Sequence, residues 1–395
     1  MIPAENLNTF PMPPGSYLKF AGLFFVQTMT RGILLSVLPL QAFAILGNAQ
    51  RTSTLFFLVS VGGILASLIM PWVIQRIGNY RAFLVGSAAM LFSAVLLSCE
   101  QVVCFSVGLF FHVFSIASIE VSLTLYVLAL IPRREMTQFE PLRIVSLVLA
   151  LTIGPFLGVY FQEKILHSLP YIICASFVVL SILYFRLLGL QQVKVLGEDT
   201  RNVNPIRYMT RFVAQPRLRL AYGLILARSA WWTMFIIYMP IYCEQSGLGE
   251  LVGAAIVSIG TAWTLTVPFW GWVGRRFGIQ ALLRSGFAVA SILLVAVYMV
   301  ADMPWVASVL MVFCALGTTM LDGAGNVLFF RAVRGRERAE MTAVFATYRD
   351  TGQLATPGLY AVLLKFFALP IVFSTAAVWM MVAAWYCRYV PQKMR

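Results

Sequence analysis

Long apolar runs recur along this chain at nearly regular intervals, and no other feature limits its fold as tightly. Twelve can be read, at about 17–42, 53–74, 82–98, 103–131, 142–161, 170–189, 218–242, 251–273, 281–300, 304–330, 342–366 and 370–390. An α-helix needs roughly 20 mostly apolar residues to cross a bilayer, and most of these runs reach that length. Only 11% of the residues are charged, less than half the share found in an average soluble domain. With 60% hydrophobic residues the chain cannot stay disordered. The runs are continuous rather than alternating, which disfavours a transmembrane β-barrel. The expected fold is an all-α polytopic membrane protein with twelve transmembrane helices.

A net charge of +14 suggests a nucleic-acid partner, but the placement of that charge argues against one. With the N-terminus set in the cytoplasm, nearly all Lys and Arg fall in cytoplasmic loops. The opposite face keeps only Arg51, Lys164 and Lys365. This is the positive-inside bias, so the charge sets topology, with both termini expected in the cytoplasm. Short loops suggest a bacterial inner membrane. The six cysteines form no C-x-x-C and fall mostly in apolar runs, reading as small buried hydrophobes. No metal or cofactor is indicated. The first apolar run is too long for a cleavable signal.

The segment 190–217 is the polar exception, with Lys194, Glu198, Asp199, Arg201, Arg207 and Arg211. It divides the chain into six spans at 1–189 and six at 218–395. The halves match at an offset of about 200: Gly22 and Pro39 with Gly223 and Pro240, Trp72, Arg76 and Gly78 with Trp272, Arg276 and Gly278, Glu120 with Asp322, Pro155 with Pro357. Six is even, so both halves run in one orientation, as a parallel repeat about the membrane normal.

On these residues the chain resembles the major facilitator superfamily over nearly its whole length. That family's loop between spans 2 and 3 reads G-x-x-x-D-R-x-G-R-[RK]; here Arg76 and Gly78 fit, while the first Gly and the Asp do not. Arg276 and Gly278 fit the equivalent loop between spans 8 and 9, where the Asp position is Arg275. Arg349, Gly352 and Pro357 stand at the family's spacing at the start of span 11. Gly154-Pro155-x-x-Gly158 in span 5 is similar to its antiporter signature. The resemblance implies two pseudo-symmetric six-helix bundles working by alternating access. It also implies that spans 1, 4, 7 and 10 line a central cavity and that Arg76, Gly78, Arg276, Gly278, Gly154 and Pro155 serve gating or packing.

Six ionisable residues lie inside spans: Arg31, Glu120, Arg228, Asp322, Arg349 and Asp350. Each costs about 2.5–3.5 kcal/mol at a helix centre unless compensated, so they must face one another or water. Arg31 is twelve residues past Lys19 and Arg228 eleven past Arg217, which puts both about 16–18 Å from the cytoplasmic edge. Guanidinium clamps carboxylate and phosphate, so two cavity arginines favour an anionic solute. Static salt bridging between packed helices is the alternative, and a functional role is favoured because intramembrane charge is functional by default. Arg228, Trp231, Phe235, Tyr238 and Tyr242 share one helical face of span 7, so Trp231 and Trp232 are candidate stacking surfaces, although ordinary packing explains them equally well. Thr318, Thr319, Asp322 and Asn326 form a polar face of span 10; Arg349, Gln353, Thr356 and Tyr360 form one of span 11. Gln27 joins the candidate binding set.

The expected ligands are therefore Arg31, Arg228, Gln27, Trp231, Trp232, Asn326 and Gln353. Glu120, paired with Arg31 or Arg143, is the expected proton carrier, and Asp322 with Arg349 the expected structural or gating pair. His112 and His167 carry little signal. Phosphate-binding loops and nucleophile–base constellations are absent from the sequence, so an ion or solute gradient is the expected energy source and catalysis is not expected. The function expected is secondary active transport of a small anionic or amphipathic organic solute, by a monomer, with proton coupling. Export is slightly favoured by the span 5 segment. A proton-coupled importer of the same solute class and a non-transporting receptor or scaffold are the alternatives.

Overall fold

The computed structural model describes residues 16–131, 133–190, 205–333 and 337–390. Residues 191–204 of the central segment, both extreme termini, and Lys194, Arg334, Arg336, Lys393 and Arg395 lie outside them, as do the topological expectations placed there. Every described element is helical. In hydrocarbon a helix satisfies its backbone polar groups within one segment, so apolar runs of this length have no better solution.

The first bundle contains α1 (Ser16–Gly32) with α2 (Leu34–Leu46) as span 1, α3 (Ala49–Ile77), α4 (Asn79–Leu97), α5 (Val102–Leu130), α6 (Arg133–Lys164) and α7 (Leu169–Leu187). A short helix, α8 (Pro205–Val213), precedes the second bundle. That bundle contains α9 (Pro216–Gln245), α10 (Glu250–Ala262) with α11 (Val267–Phe277), α12 (Ile279–Met299), α13 (Pro304–Ala324) with α14 (Val327–Ala332), α15 (Arg338–Ala346) with α16 (Tyr348–Leu363), and α17 (Ile371–Tyr386). Among the described residues eleven helices are long and apolar enough to cross a membrane. The remaining span, span 11, is interrupted between α15 and α16 and is shorter and more polar.

The sequence repeat is visible in local geometry. α3 and α11 both stop at a glycine with positive φ, Gly78 at 85° and Gly278 at 93°, a conformation that costs other residues a steric clash. The expected polar loop 190–217 holds α8, and Phe212 within it is buried. It packs edge-on against Tyr222 of α9 at 5.8 Å. Arg211 faces Glu337 at 3.8 Å, tying the connection to the second bundle.

The bundles meet along two seams. In one, Ser53 of α3 and Tyr238 of α9 share a hydrogen bond of 2.7 Å. Gln50 donates to the Ala361 carbonyl at 3.4 Å, and Ser60 to that of Gln353 at 2.9 Å. In the other, the Phe156 amide donates to Ser258 at 3.1 Å, and Thr261 to the Leu151 carbonyl at 2.9 Å. All these bonds lie toward the face away from the arginine-rich loops. These bonds tie the two bundles together on that side.

Candidate functional site

Three of the broken helices are interrupted beside intramembrane charges. Span 1 breaks at Ile33, two residues after Arg31; span 10 breaks after Ala324, two residues after Asp322; span 11 breaks at Thr347, two residues before Arg349. Ile33 and Thr347 keep right-handed helical dihedrals, so those two interruptions are slight; Gly325, at φ 51° and ψ −138°, ends α13 outright.

Four of the six charges form two Arg–carboxylate pairs, one per bundle. Arg31 meets Glu120 of α5 at 3.3 Å, with side chains 30% and 44% exposed. Arg228 meets Asp322 of α13 at 2.7 Å, with side chains only 13% and 20% exposed. The second carboxylate also accepts from the Trp232 indole N–H, at 3.1 Å. Arg228 and Trp232 are four residues apart on α9 and hold one oxygen each. At the repeat offset set by Gly22–Gly223 and Pro39–Pro240, the equivalents of Arg228 and Trp232 are Gln27 and Arg31. The first bundle thus presents an amide and a guanidinium where the second presents a guanidinium and an indole. The side-chain carbonyl of Gln27 is buried and has no hydrogen-bond partner within the protein.

These contacts correct the expected pairing. Asp322 is held by Arg228 and Trp232, not by Arg349. Arg349 is exposed at the start of α16, donates to the Tyr348 hydroxyl at 3.2 Å, and lies with Asp350 in the electrostatic surroundings of Glu120. Depth along a straight helix suggested the Asp322–Arg349 match; span 10 is broken at Gly325, between the arginine-rich face and Asp322, and Asp322 already has both oxygens occupied by α9. Arg143 does not reach Glu120 either: it bonds Glu140, three residues before it, at 2.8 Å.

Other expected ligands separate in the same way. Trp231 is fully buried and stacks on Phe235 with ring centres 5.0 Å apart, so it packs the bundle and presents no surface to a solute. Phe235 and Tyr238 on the same face are also fully buried. Trp232, one residue further round, is the one at the site. Thr318 and Thr319 are buried and bond to carbonyls of their own helix, and Thr356 and Tyr360 are buried too, so these four pack inside the bundle. Asp322 of the span 10 face is in the site, and Gln353 of the span 11 face is at the inter-bundle seam. Asn326 is half-buried beyond the break in span 10 and borders a small pocket beside Arg228. Gln353 is exposed, with its carbonyl in the inter-bundle seam.

The loop and kink residues have physical roles. Arg76 and Arg276, without the usual acidic partner position, lie over Trp72 at 3.8 Å and Trp272 at 5.4 Å, each four residues earlier. Gly154 and Gly158 seat span 5 on the backbone of span 1: a Cβ on Gly154 would meet Gly32 at 2.3 Å, and one on Gly158 would meet the Ile33 carbonyl at 2.0 Å. Pro155 lies inside α6 between them. His112 is buried, and His167 lies near Glu100 at 3.9 Å on the face away from the arginine-rich loops. The residues the sequence did not single out are Ser53 and Gln50, polar positions near the start of a long apolar helix with no charge to mark them.

These features describe a polytopic helical membrane protein of two six-span repeats with a half-exposed Arg–Glu pair between its spans. The chain belongs to the Major Facilitator Superfamily, whose family model matches residues 20–357. Among solved structures it is similar to the nucleoside transporter NupG, with a TM-score of 0.74 at 12% identity, covering 95% of this chain and 99% of that one. It is also similar to a POT family transporter in complex with 5-aminolevulinic acid, with a TM-score of 0.70 at 16% identity over 93% of this chain and 94% of that one. A peptide transporter POT in complex with sulfate gives 0.73 at 13% identity over 95% and 94%. No curated protein sequence matches the chain.

Proposed function

We propose that this protein is a secondary active transporter of a small organic anion, and that Arg31 and Glu120 form its proton-coupled binding pair. The observation that carries the proposal is the contrast between the two pairs. A fully exposed ion pair contributes about 0–1 kcal/mol; Arg31–Glu120 is half-exposed, so a proton or a solute anion displaces it at a lower cost than it would displace Arg228–Asp322. Breaking a buried pair by removing one partner costs about 3–5 kcal/mol, which makes Arg228–Asp322, sealed by Trp232, a fixed brace.

The coupling follows from charge. While Glu120 is ionised it neutralises Arg31, and a solute anion would have to displace it. When Glu120 takes a proton, Arg31 is left positive beside the Gln27 amide and accepts a carboxylate or phosphonate in a forked geometry. Proton and anion then favour each other's binding by the same factor. Solute and proton travel together, which supports import over the export that the span 5 segment suggested; its glycines are accounted for by packing on span 1. The mouth would face the cytoplasm of a bacterial inner membrane, with one chain carrying the whole pathway.

Thermal-shift screening of small organic anions on purified protein selects a binder, since a ligand of the folded state stabilises it. Proteoliposomes then report uptake of that anion with an imposed pH gradient. The reading expects uptake that rises with the gradient. A binder that produces no flux in either direction points instead to a receptor or scaffold.

A further inference from the structure

The second bundle holds a cavity of about 810 Å³ that the transport reading does not use. It lies between the arginine-rich half of α9, the middle of α16 and the last turns of α17. Its floor on α9 is Gly223, Ala227 and Ala230. A Cβ placed on Gly223 meets nothing within 4 Å, whereas on its repeat equivalent, Gly22, it meets the Tyr184 hydroxyl at 2.9 Å. The space is therefore particular to this bundle and not a general result of the repeat. Leu359, Val382 and Tyr386 at its mouth are each more than 40% exposed, so it opens sideways toward the bilayer. Trp379 also lines it, and that indole N–H is buried without a partner.

The arginine-rich end of the groove is cationic. Arg217 and Arg219 line it and are exposed, and no ion pair among the described residues involves either; the nearby Glu337 is taken by Arg211 and Gln215. Arg388 stands at the end of α17, stacked over Trp385 at 3.6 Å. An apolar slot of this volume suits one long hydrocarbon chain, but its walls cannot tell one lipid from another. The two unpaired guanidinium groups can, because they clamp phosphate and favour net negative charge at the membrane surface.

We propose that this groove is a binding site for an anionic phospholipid of the leaflet on the arginine-rich side, with an acyl chain along α9 and α17 and its headgroup phosphate on Arg217 and Arg219. The site is independent of the Arg31–Glu120 pair. The test reconstitutes the full chain in phosphatidylcholine vesicles doped with a small, fixed fraction of acyl-brominated phosphatidylglycerol or acyl-brominated phosphatidylcholine. The Trp379 contribution is the fluorescence difference between wild type and Trp379→Phe. Brominated phosphatidylglycerol should quench that component several-fold more strongly than brominated phosphatidylcholine. Arg217→Gln combined with Arg219→Gln should abolish the difference, and Gly223→Leu, which fills the open space, should abolish quenching by both. Equal quenching by the two headgroups in wild type, quenching by neither, or a preference that survives the double substitution would overturn the site. If Trp379→Phe fails to fold, native mass spectrometry of wild type and the double-Gln variant reads the same property. Preferential retention of phosphatidylglycerol on wild type alone is expected, and equal retention of both lipids overturns the proposal.

Discussion

Two donors converge on Asp322, the Arg228 guanidinium at 2.7 Å and the Trp232 indole at 3.1 Å. Removing either charged partner leaves the other stranded in a poorly hydrated setting. Arg228→Gln and Asp322→Asn should each lose about 3–5 kcal/mol of stability, read as a drop in unfolding temperature of the purified protein. The double variant should recover much of the loss, since two amides can bond each other. Additive losses would show that the pair is not a coupled brace. Arg31→Gln should cost about 1 kcal/mol or less while removing anion binding. The six charges were legible from the sequence because an apolar context makes each conspicuous. Their pairing was not. Depth reckoned along straight helices matched Asp322 with Arg349, but depth says nothing of which way a side chain faces, and α9 supplies both partners of Asp322. The better signal was local: Arg228 and Trp232 sit four residues apart, so they face the same way.

At the scale of elements, the contact between spans 1 and 5 sets where Arg31 stands. Gly32 approaches the Ala150 carbonyl, and Gly154 and Gly158 approach the backbone of Gly32 and Ile33. Backbone atoms cannot yield as a side-chain tip can. Gly158→Val should therefore separate the two helices, sharply reduce the yield of folded protein, and weaken anion binding in whatever folds. Gly223→Ala, facing open space, should leave folding unchanged. Normal folding of Gly158→Val, measured by size-exclusion yield and unfolding temperature, would contradict this packing. The Gly-Pro segment was visible in the sequence, but its partner was not, because nothing local marks which span it rests on. Trp72 and Trp272 were likewise visible as a repeat, while their stacking on Arg76 and Arg276 needed a third dimension.

At the scale of the molecule, the repeat points to the two-bundle architecture, and the seams tie the bundles together on the side away from the arginine-rich loops. Tyr238 is fully buried and bonds Ser53 across the bundles. Tyr238→Phe keeps the ring and deletes the bond, so it should favour separation on that face. Amide hydrogen exchange in residues 49–60 and 356–363 should then rise several-fold, with residues 279–299 unaffected as an internal reference. Unchanged exchange in the two seam segments would mean the hydrogen bond does not hold that face. The seam was illegible from sequence because Ser53 and Tyr238 lie 185 positions apart and neither is charged.

The central claim is that Glu120, and not Asp322, couples proton movement to anion movement. Its most direct test is anion uptake into proteoliposomes by wild type and by Glu120→Gln, with and without an imposed pH gradient, using the anion selected by thermal shift. Glu120→Gln should exchange anion across the membrane at a rate close to wild type yet show no acceleration by the gradient. Full gradient-driven uptake by Glu120→Gln, with gradient dependence lost instead in a folded Asp322→Asn variant, would contradict the account.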